Sequence, residues 1–336
     1  MLHLSGSIPS SVFRCAMGTA MAVVLASSAA AQTDDFISRF RQGQQLRAEN
    51  RFADARTVYH DLLRDIRQQS SNCRREGLVL DNLALDEQDI GDYAAAETAY
   101  NHALTALQGL PADDSLVIGL RIHLAELYIA ENRPDDAEPL LRQTLVTLRS
   151  STIQQPMELS VTDEDLAVVC IMRRKFAKAE SLLREAQALI ENARGENDSK
   201  LTSSLLTYAG LLTREQRYSE AIAPAERAWQ ILSADASHVP TPFLASTLSV
   251  LAAVYYHAGR VEDAEPCARK CVEMAEKSLG AQHPRMGLYY SNYAVILKAA
   301  GRRNEAKAVQ KKADEIREQN PSSSTGGYTV NVASLH

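Results

Sequence analysis

Apolar residues recur along most of this chain at i, i+3, i+4 and i+7, the spacing that lines one face of an α-helix. Short polar stretches interrupt these helical runs. One mark returns with them: a residue that is often aromatic, two mostly polar or small residues, then Ala. It reads Phe52-Ala-Asp-Ala55, Tyr93-Ala-Ala-Ala96, Pro134-Asp-Asp-Ala137, Phe176-Ala-Lys-Ala179, Tyr218-Ser-Glu-Ala221, Val261-Glu-Asp-Ala264 and Arg303-Asn-Glu-Ala306. Successive Ala residues are 41, 41, 42, 42, 43 and 42 positions apart. Seven marks at one period signify a repeat architecture.

A second mark precedes each first one by about twelve residues, a small residue usually beside an apolar one: Gly43, Leu83-Ala84, Leu124-Ala125, Leu166-Ala167, Tyr208-Ala209, Leu251-Ala252 and Tyr293-Ala294. Turn residues lie between the marks, among them Asn50-Arg51, Gly91-Asp92, Asn132-Arg133, Gln216-Arg217, Gly259-Arg260 and Gly301-Arg302. Gly and Asn there can adopt the left-handed conformation that ends a helix. Each unit is thus predicted to be a helix, a tight turn and a second helix. An Ala or Gly where two helices cross lets their axes approach to about 8–10 Å. One such hairpin cannot bury its apolar face alone, so the units must stack into a continuous core.

These marks resemble the tetratricopeptide repeat, whose usual unit is about 34 residues; the longer period here resembles the kinesin light chain type. Leu279-Gly280-Ala281-Gln282-His283-Pro284 matches that type's linker, and Asn82-Leu83-Ala84 and Asn292-Tyr293-Ala294 match part of its first helix. Other linkers, such as Gly195-Glu196-Asn197-Asp198 and Leu110-Pro111-Ala112-Asp113, keep only turn chemistry. The resemblance implies an all-α, right-handed superhelical solenoid of about seven helix-turn-helix repeats, near residues 36–70, 77–110, 118–150, 160–193, 202–235, 245–279 and 287–320. It also implies a concave groove lined by the first helices, with Phe40, Asp81, Asn82, Leu85, Ile122, Glu126, Glu164, Val168, Leu206, Tyr256, Asn292 and Val295 as candidate peptide-binding residues. Gln44, Gly210, Ser249, Ala253 and Ser291 fall on the same inward positions. None of these is Lys or Arg, so the carboxylate clamp of chaperone-binding members looks absent. Asp81, Glu126 and Glu164 suit a ligand with apolar anchors and some basic residues. The fold itself hosts many functions and names no partner.

Composition sharpens this picture in four places. Net charge is −6 and no long basic block occurs, which argues against nucleic-acid binding. Residues 1–31 hold one formal charge, Arg14, then a short apolar segment ending in Ser27-Ser28-Ala29-Ala30-Ala31. That is the form of a secretory signal, with cleavage expected after Ala31 and a periplasmic or secreted mature protein. The alternative is an uncleaved anchor, but the apolar stretch is shorter than the roughly 20 residues a span needs. No second stretch of spanning length follows, so no stable membrane span is expected once the signal is removed. Of five Cys, Cys73, Cys170, Cys267 and Cys271 lie beyond the signal, and their spacing suits buried apolar residues better than disulfides or zinc.

The fourth place is the end of the chain. Residues 303–319 form a polar helix suited to closing a stack. Pro321-Ser-Ser-Ser-Thr-Gly-Gly then reads as a flexible linker, and 321–336 as a tail. Tyr328, Val330 and Val332 alternate with Thr329 and Asn331, a strand-like pattern that also suits a peptide adding to a groove or sheet edge.

Catalytic motifs are missing. The eight His residues are scattered, and the carboxylate pairs Asp113-Asp114, Asp135-Asp136 and Glu164-Asp165 fall near expected helix starts, where the dipole favours them. No metal, cofactor or catalytic residue is assigned. The sequence therefore describes an exported, non-catalytic scaffold for a protein or peptide partner, open to self-association through the apolar ends of its stack. The other reading is an accessory subunit of an envelope enzyme or transport assembly.

Overall fold

The computed structural model describes residues 30–49, 51–69, 72–234, 236, 239 and 241–319. The expected signal up to residue 29 and the tail from residue 320 lie outside the described residues. Fourteen α-helices cover the rest, with no strand among the described residues. In chain order they are α1 (Ala30–Ala48), α2 (Phe52–Gln69), α3 (Cys73–Ile90), α4 (Tyr93–Ala106), α5 (Ser115–Ala130), α6 (Pro134–Ser150), α7 (Pro156–Met172), α8 (Phe176–Arg194), α9 (Leu201–Arg214), α10 (Tyr218–Ala234), α11 (Thr241–His257), α12 (Val261–Leu279), α13 (Met286–Ala299) and α14 (Arg303–Gln319). The expected cleavage point after Ala31 falls at the start of α1.

Two compact units divide near Glu158. In the N-terminal unit α1 pairs with α2, α3 with α4 and α5 with α6, while α2 packs on α3, α4 on α5, and the first helices α1, α3 and α5 follow one another. In the C-terminal unit α9 pairs with α10, α11 with α12 and α13 with α14, and the first helices α9, α11 and α13 again touch in sequence. Ser160 Oγ of α7 donates to the Ala186 carbonyl of α8 at 3.1 Å, which ties that pair together.

The small residues sit where helices cross. Ala55, Ala96, Ala137, Ala179, Ala221 and Ala264 on the second helices are 0% exposed, as are Ala84, Ala125, Ala167 and Ala209 on the first helices. Gly43 is the tightest case: a Cβ there would lie 2.5 Å from the Tyr59 ring. Any larger side chain at these places would push two helices apart, and overpacking of this kind costs about 1–3 kcal/mol.

The turns inside the hairpins share one geometry. The left-handed residue is Gly91, Asn132, Arg174, Gln216, Gly259 or Gly301. The next residue then donates its N–H to a carbonyl five positions earlier, as in Asp92 to Glu87, Arg133 to Tyr128, Lys175 to Cys170 and Arg260 to Tyr255, each at 2.8 Å. This closes the orphan carbonyls of the first helix. Arg174 and Gln216 adopt the left-handed region at some cost, since neither is the Gly or Asn that favours it. α3 starts earlier than the expected residue 77, because Asn72 Oδ1 accepts the Arg75 N–H at 3.2 Å and caps the helix there.

Polar staples join four of the second helices, α4, α8, α10 and α12, to the next hairpin. Glu97 on α4 accepts from Tyr128 (3.0 Å) on α5 and from Arg133 (2.8 Å) at the following turn. Glu180 on α8 accepts from Tyr208 (2.7 Å) and Arg217 (3.1 Å), and Glu265 on α12 from Tyr293 (3.2 Å) and Arg302 (2.8 Å). Tyr255 donates to Glu226 at 2.7 Å in the same manner. Arg133 also lies over the Tyr128 ring, 4.4 Å from its centre, and Arg260 over Tyr255 at 4.6 Å. The arginine ends of these staples are partly exposed, so each staple fixes register and its ion pair contributes about 1 kcal/mol.

Candidate functional site

The first helices carry the positions expected to face a ligand. In the N-terminal unit Phe40 of α1 is half-buried and stacks on Phe36 with ring centres 5.7 Å apart. Gln44 and Leu85 are also half-buried, whereas Asp81, Asn82, Ile122 and Glu126 are buried. Asn82 donates to the Leu78 carbonyl of its own helix at 3.0 Å. Asp81 accepts from or pairs with His123 Nδ1 of α5 at 2.7 Å. The two are 42 positions apart, one repeat, so the pair bridges equivalent faces of consecutive first helices. Tyr100 is fully buried behind this pair, its ring centre 6.2 Å from that of His123. Burial keeps the Tyr100 hydroxyl well above its ordinary pKa, and the nearby Asp81 charge adds to this. Elsewhere on α5, burial lowers the Arg121 guanidinium.

A second ionic group ties α1 to α3. Arg47 is 7% exposed and donates to Asp89 through Nε at 2.9 Å and Nη2 at 2.7 Å. Its Nε also lies 3.1 Å from Asp86, which is fully buried. No aligned donor among the described residues serves either Asp86 oxygen. Loss of water therefore outweighs the Arg47 charge, and Asp86 is pushed up to about 7. Neighbouring Glu87 meets Arg56 at 3.0 Å.

The C-terminal unit is built differently. Glu164 and Val168 of α7 are buried, and Glu164 accepts from Thr207 of α9 at 3.4 Å and from Ser203. Farther along the chain the lining loses its charge. Leu206, Ser249, Ala253 and Ser291 are buried, with Val295 and Gly210 half-buried among them. A Cβ built on Gly210 would meet nothing within 4 Å, so the space beside α9 is open. Asn292 of α13 donates to Ser249 Oγ of α11 at 3.4 Å, again one repeat apart. Tyr256 is half-buried and meets His257 edge-on at 5.3 Å, and His257 in turn stacks on Tyr218 at 5.4 Å.

The candidate residues thus fall on the first helices of each unit, and several are engaged with the neighbouring repeat. Sequence reasoning assigned no role to His123, Arg47 or Asp86. The signal for His123 was its one-repeat spacing from Asp81. Burial raises Cys271 well above the ordinary thiol range, and the four described cysteines are free thiols. Among the described residues no group of three His, Cys, Asp or Glu is placed to hold a metal, and no helix is long and apolar enough to cross a membrane.

The profile of the tetratricopeptide repeat matches residues 75–149 and 243–319. No curated protein shows significant similarity in sequence. Among solved structures the chain is similar to BtubC (BKLC) from P. vanneervenii, with TM-score 0.58 and 24% identity, covering 68% of this chain and 92% of that one. It is similar to the nearly identical TPR-like kinesin light chain repeats of Podosopora anserina at TM-score 0.52 and 19% identity, covering 64% of this chain and 100% of that one. A Rap protein complexed with competence and sporulation factor matches at TM-score 0.61 and 11% identity, covering 90% of this chain and 76% of that one. At such identities the likeness is one of fold. Over residues 75–149 and 243–319 this chain is a tetratricopeptide-repeat protein, and the helical hairpins described between those segments continue the same all-α repeat fold with kinesin light chain-like neighbours.

Proposed function

We propose that the protein is a non-catalytic scaffold that captures a segment of a partner protein along its first helices. One observation carries this reading: the row of small and apolar residues on α9, α11 and α13, with open space beside Gly210. Apolar side chains of an extended ligand gain free energy by leaving water there, at about 25 cal/mol per Å². Repeat proteins offer such extended surfaces because each repeat meets only its neighbours. The Rap protein that shares the fold was solved with a bound factor, which supports ligand capture on this architecture. Asp81, Glu126 and Glu164 would favour basic residues in the ligand, and Asn82, Leu85, Tyr256, Asn292 and Val295 would contact it once their present partners exchange.

The test is a groove plug. Gly210→Leu adds a side chain to open space in a helix, where Leu is also the better helix former by roughly 0.8 kcal/mol. The variant should keep its melting temperature and lose binding to an array of extended peptides that the natural chain retains. Equal binding by both chains would end this reading. Export is a separate proposal, supported by the signal-like residues 1–31. Recovered protein beginning at Gln32 after expression in a secreting host is its expected signature.

A further inference from the structure

The geometry points to an occupant for the C-terminal unit's groove: residues 328–335 of the same chain, lying along α13, α11 and α9. This rests on the groove reading above and adds an identity for a ligand. The first ground is where the described chain stops. Arg317, in the last turn of α14, donates to Ser291 Oγ at 3.4 Å, and Ile316 lies beside Gly287 of α13, whose added Cβ would sit 3.5 Å from it. Ser291 belongs to the groove row. The chain therefore leaves α14 next to the row, at its last first helix.

The second ground is reach. Residues 320–327 separate α14 from Tyr328 and contain Pro321 followed by Ser, Thr and Gly. Nine steps at about 3.4 Å each cover about 30 Å. First helices pack about 8–10 Å apart, so α13 to α9 is about 20 Å. An extended run from 328 to 335 adds about 25 Å at the usual strand rise. The tail can thus cross all three helices without strain.

The third ground is complementarity. Tyr-Thr-Val-Asn-Val-Ala-Ser-Leu over 328–335 carries no formal charge, and the row from Leu206 through Ala253 to Val295 carries none either. Gly210 leaves open space that an apolar side chain of Tyr328, Val330 or Val332 would fill, and half-buried Val295 offers a further apolar contact. The N-terminal unit, with Asp81, His123 and Glu126 on its row, offers a poorer match for a neutral segment. A tethered tail acts at millimolar effective concentration, so it would compete with any partner of modest affinity. The device is self-occupancy that a partner must displace.

Hydrogen–deuterium exchange on the full chain tests it, comparing the natural protein with Val330→Glu/Val332→Glu and with Gly210→Leu. The tail substitutions follow the last helix in sequence and alter none of the residues of the fourteen helices. The expected result is slowed exchange at 328–335 in the natural chain, at least about tenfold below the intrinsic rate, independent of protein concentration and lost in both variants. A labelled peptide of residues 326–336 should bind the Val330→Glu/Val332→Glu chain at least about tenfold more tightly than the natural chain, and Gly210→Leu not at all. Tail amides exchanging at the intrinsic rate in the natural chain would overturn the proposal. So would protection that rises with concentration, which would assign the tail to a second copy. If the tail exchanges freely while other peptides still bind and Gly210→Leu blocks them, the self-ligand falls and the groove stands. If Gly210→Leu changes nothing for any peptide, both fall.

Discussion

The two units use the same hairpin and the same small-residue crossings, yet they join consecutive first helices with different chemistry. In the N-terminal unit the joints use charged or titratable groups: Arg47 is ion-paired with Asp86 and Asp89, and Asp81 is hydrogen-bonded to His123. Between α11 and α13 of the C-terminal unit the joint is neutral, Asn292 to Ser249, and the neighbouring positions are small. The difference teaches that register and recognition are separable in this fold. Ala and Gly at the crossings set how closely helices approach, whichever groups bridge them. The bridging groups then decide what the row offers: charged and titratable groups bound to each other in one unit, and in the other, beyond Glu164, an uncharged stretch over α9, α11 and α13 with open space beside Gly210.

Breaking the ionic joint should cost most. Arg47→Ala leaves Asp86 buried beside no cation closer than Arg56, and removing one partner of a buried pair typically costs about 3–5 kcal/mol. Urea unfolding at pH 8 should register a loss near the low end of that range, with a smaller loss at pH 5, where Asp86 is protonated. The pH dependence of Asp86 itself follows from its raised value of about 7 against an ordinary 3.8. A carboxyl raised in the folded state favours folding fully below about pH 4, and that contribution is lost as pH rises through 7. Asp86→Asn stays neutral throughout. It should therefore gain on the natural chain as pH rises, by about 2–3 kcal/mol more at pH 8 than at pH 5. An equal effect at both values would contradict a raised Asp86 in the folded protein.

The neutral joint should respond less and without pH dependence. Asn292→Ala removes a long, buried hydrogen bond and leaves Ser249 to find another partner, a loss of about 1 kcal/mol that is the same at pH 5 and pH 8. Smallest of all is Gly210→Leu, which should shift stability by less than about 1 kcal/mol, in the stabilising direction, because its side chain meets open space. Differential scanning calorimetry distinguishes that gain from the loss expected if the helix were crowded there.

Much of the fold was legible because its signal is repeated. The Ala marks at 41–43 positions each report one helix crossing, and the turn residues Gly91, Asn132, Gly259 and Gly301 each report one left-handed closure. Arg174 and Gln216 show where that reading runs out, since their left-handed conformation is imposed by the repeat and not by their own preference. The row of first-helix positions was also readable from the period. The state of its side chains was not. Whether Asp81 faces a ligand or His123 depends on how far α5 slides along α3, and no spacing within one helix encodes that. Asp86 was missed for a similar reason: it looks like one acid among several on α3, and only the packing of α1 over it removes its water. The Glu97, Glu180 and Glu265 staples could have been found, as each follows a marked Ala by one position.

The most direct test of the binding row is site-specific photocrosslinking in producing cells, with benzoylphenylalanine in place of Tyr256 on the row and of Gln230, exposed on the second helix α10. The account predicts a crosslinked peptide, from the tail or from a partner, at position 256 and none at 230. Crosslinks at 230 with none at 256 would contradict it.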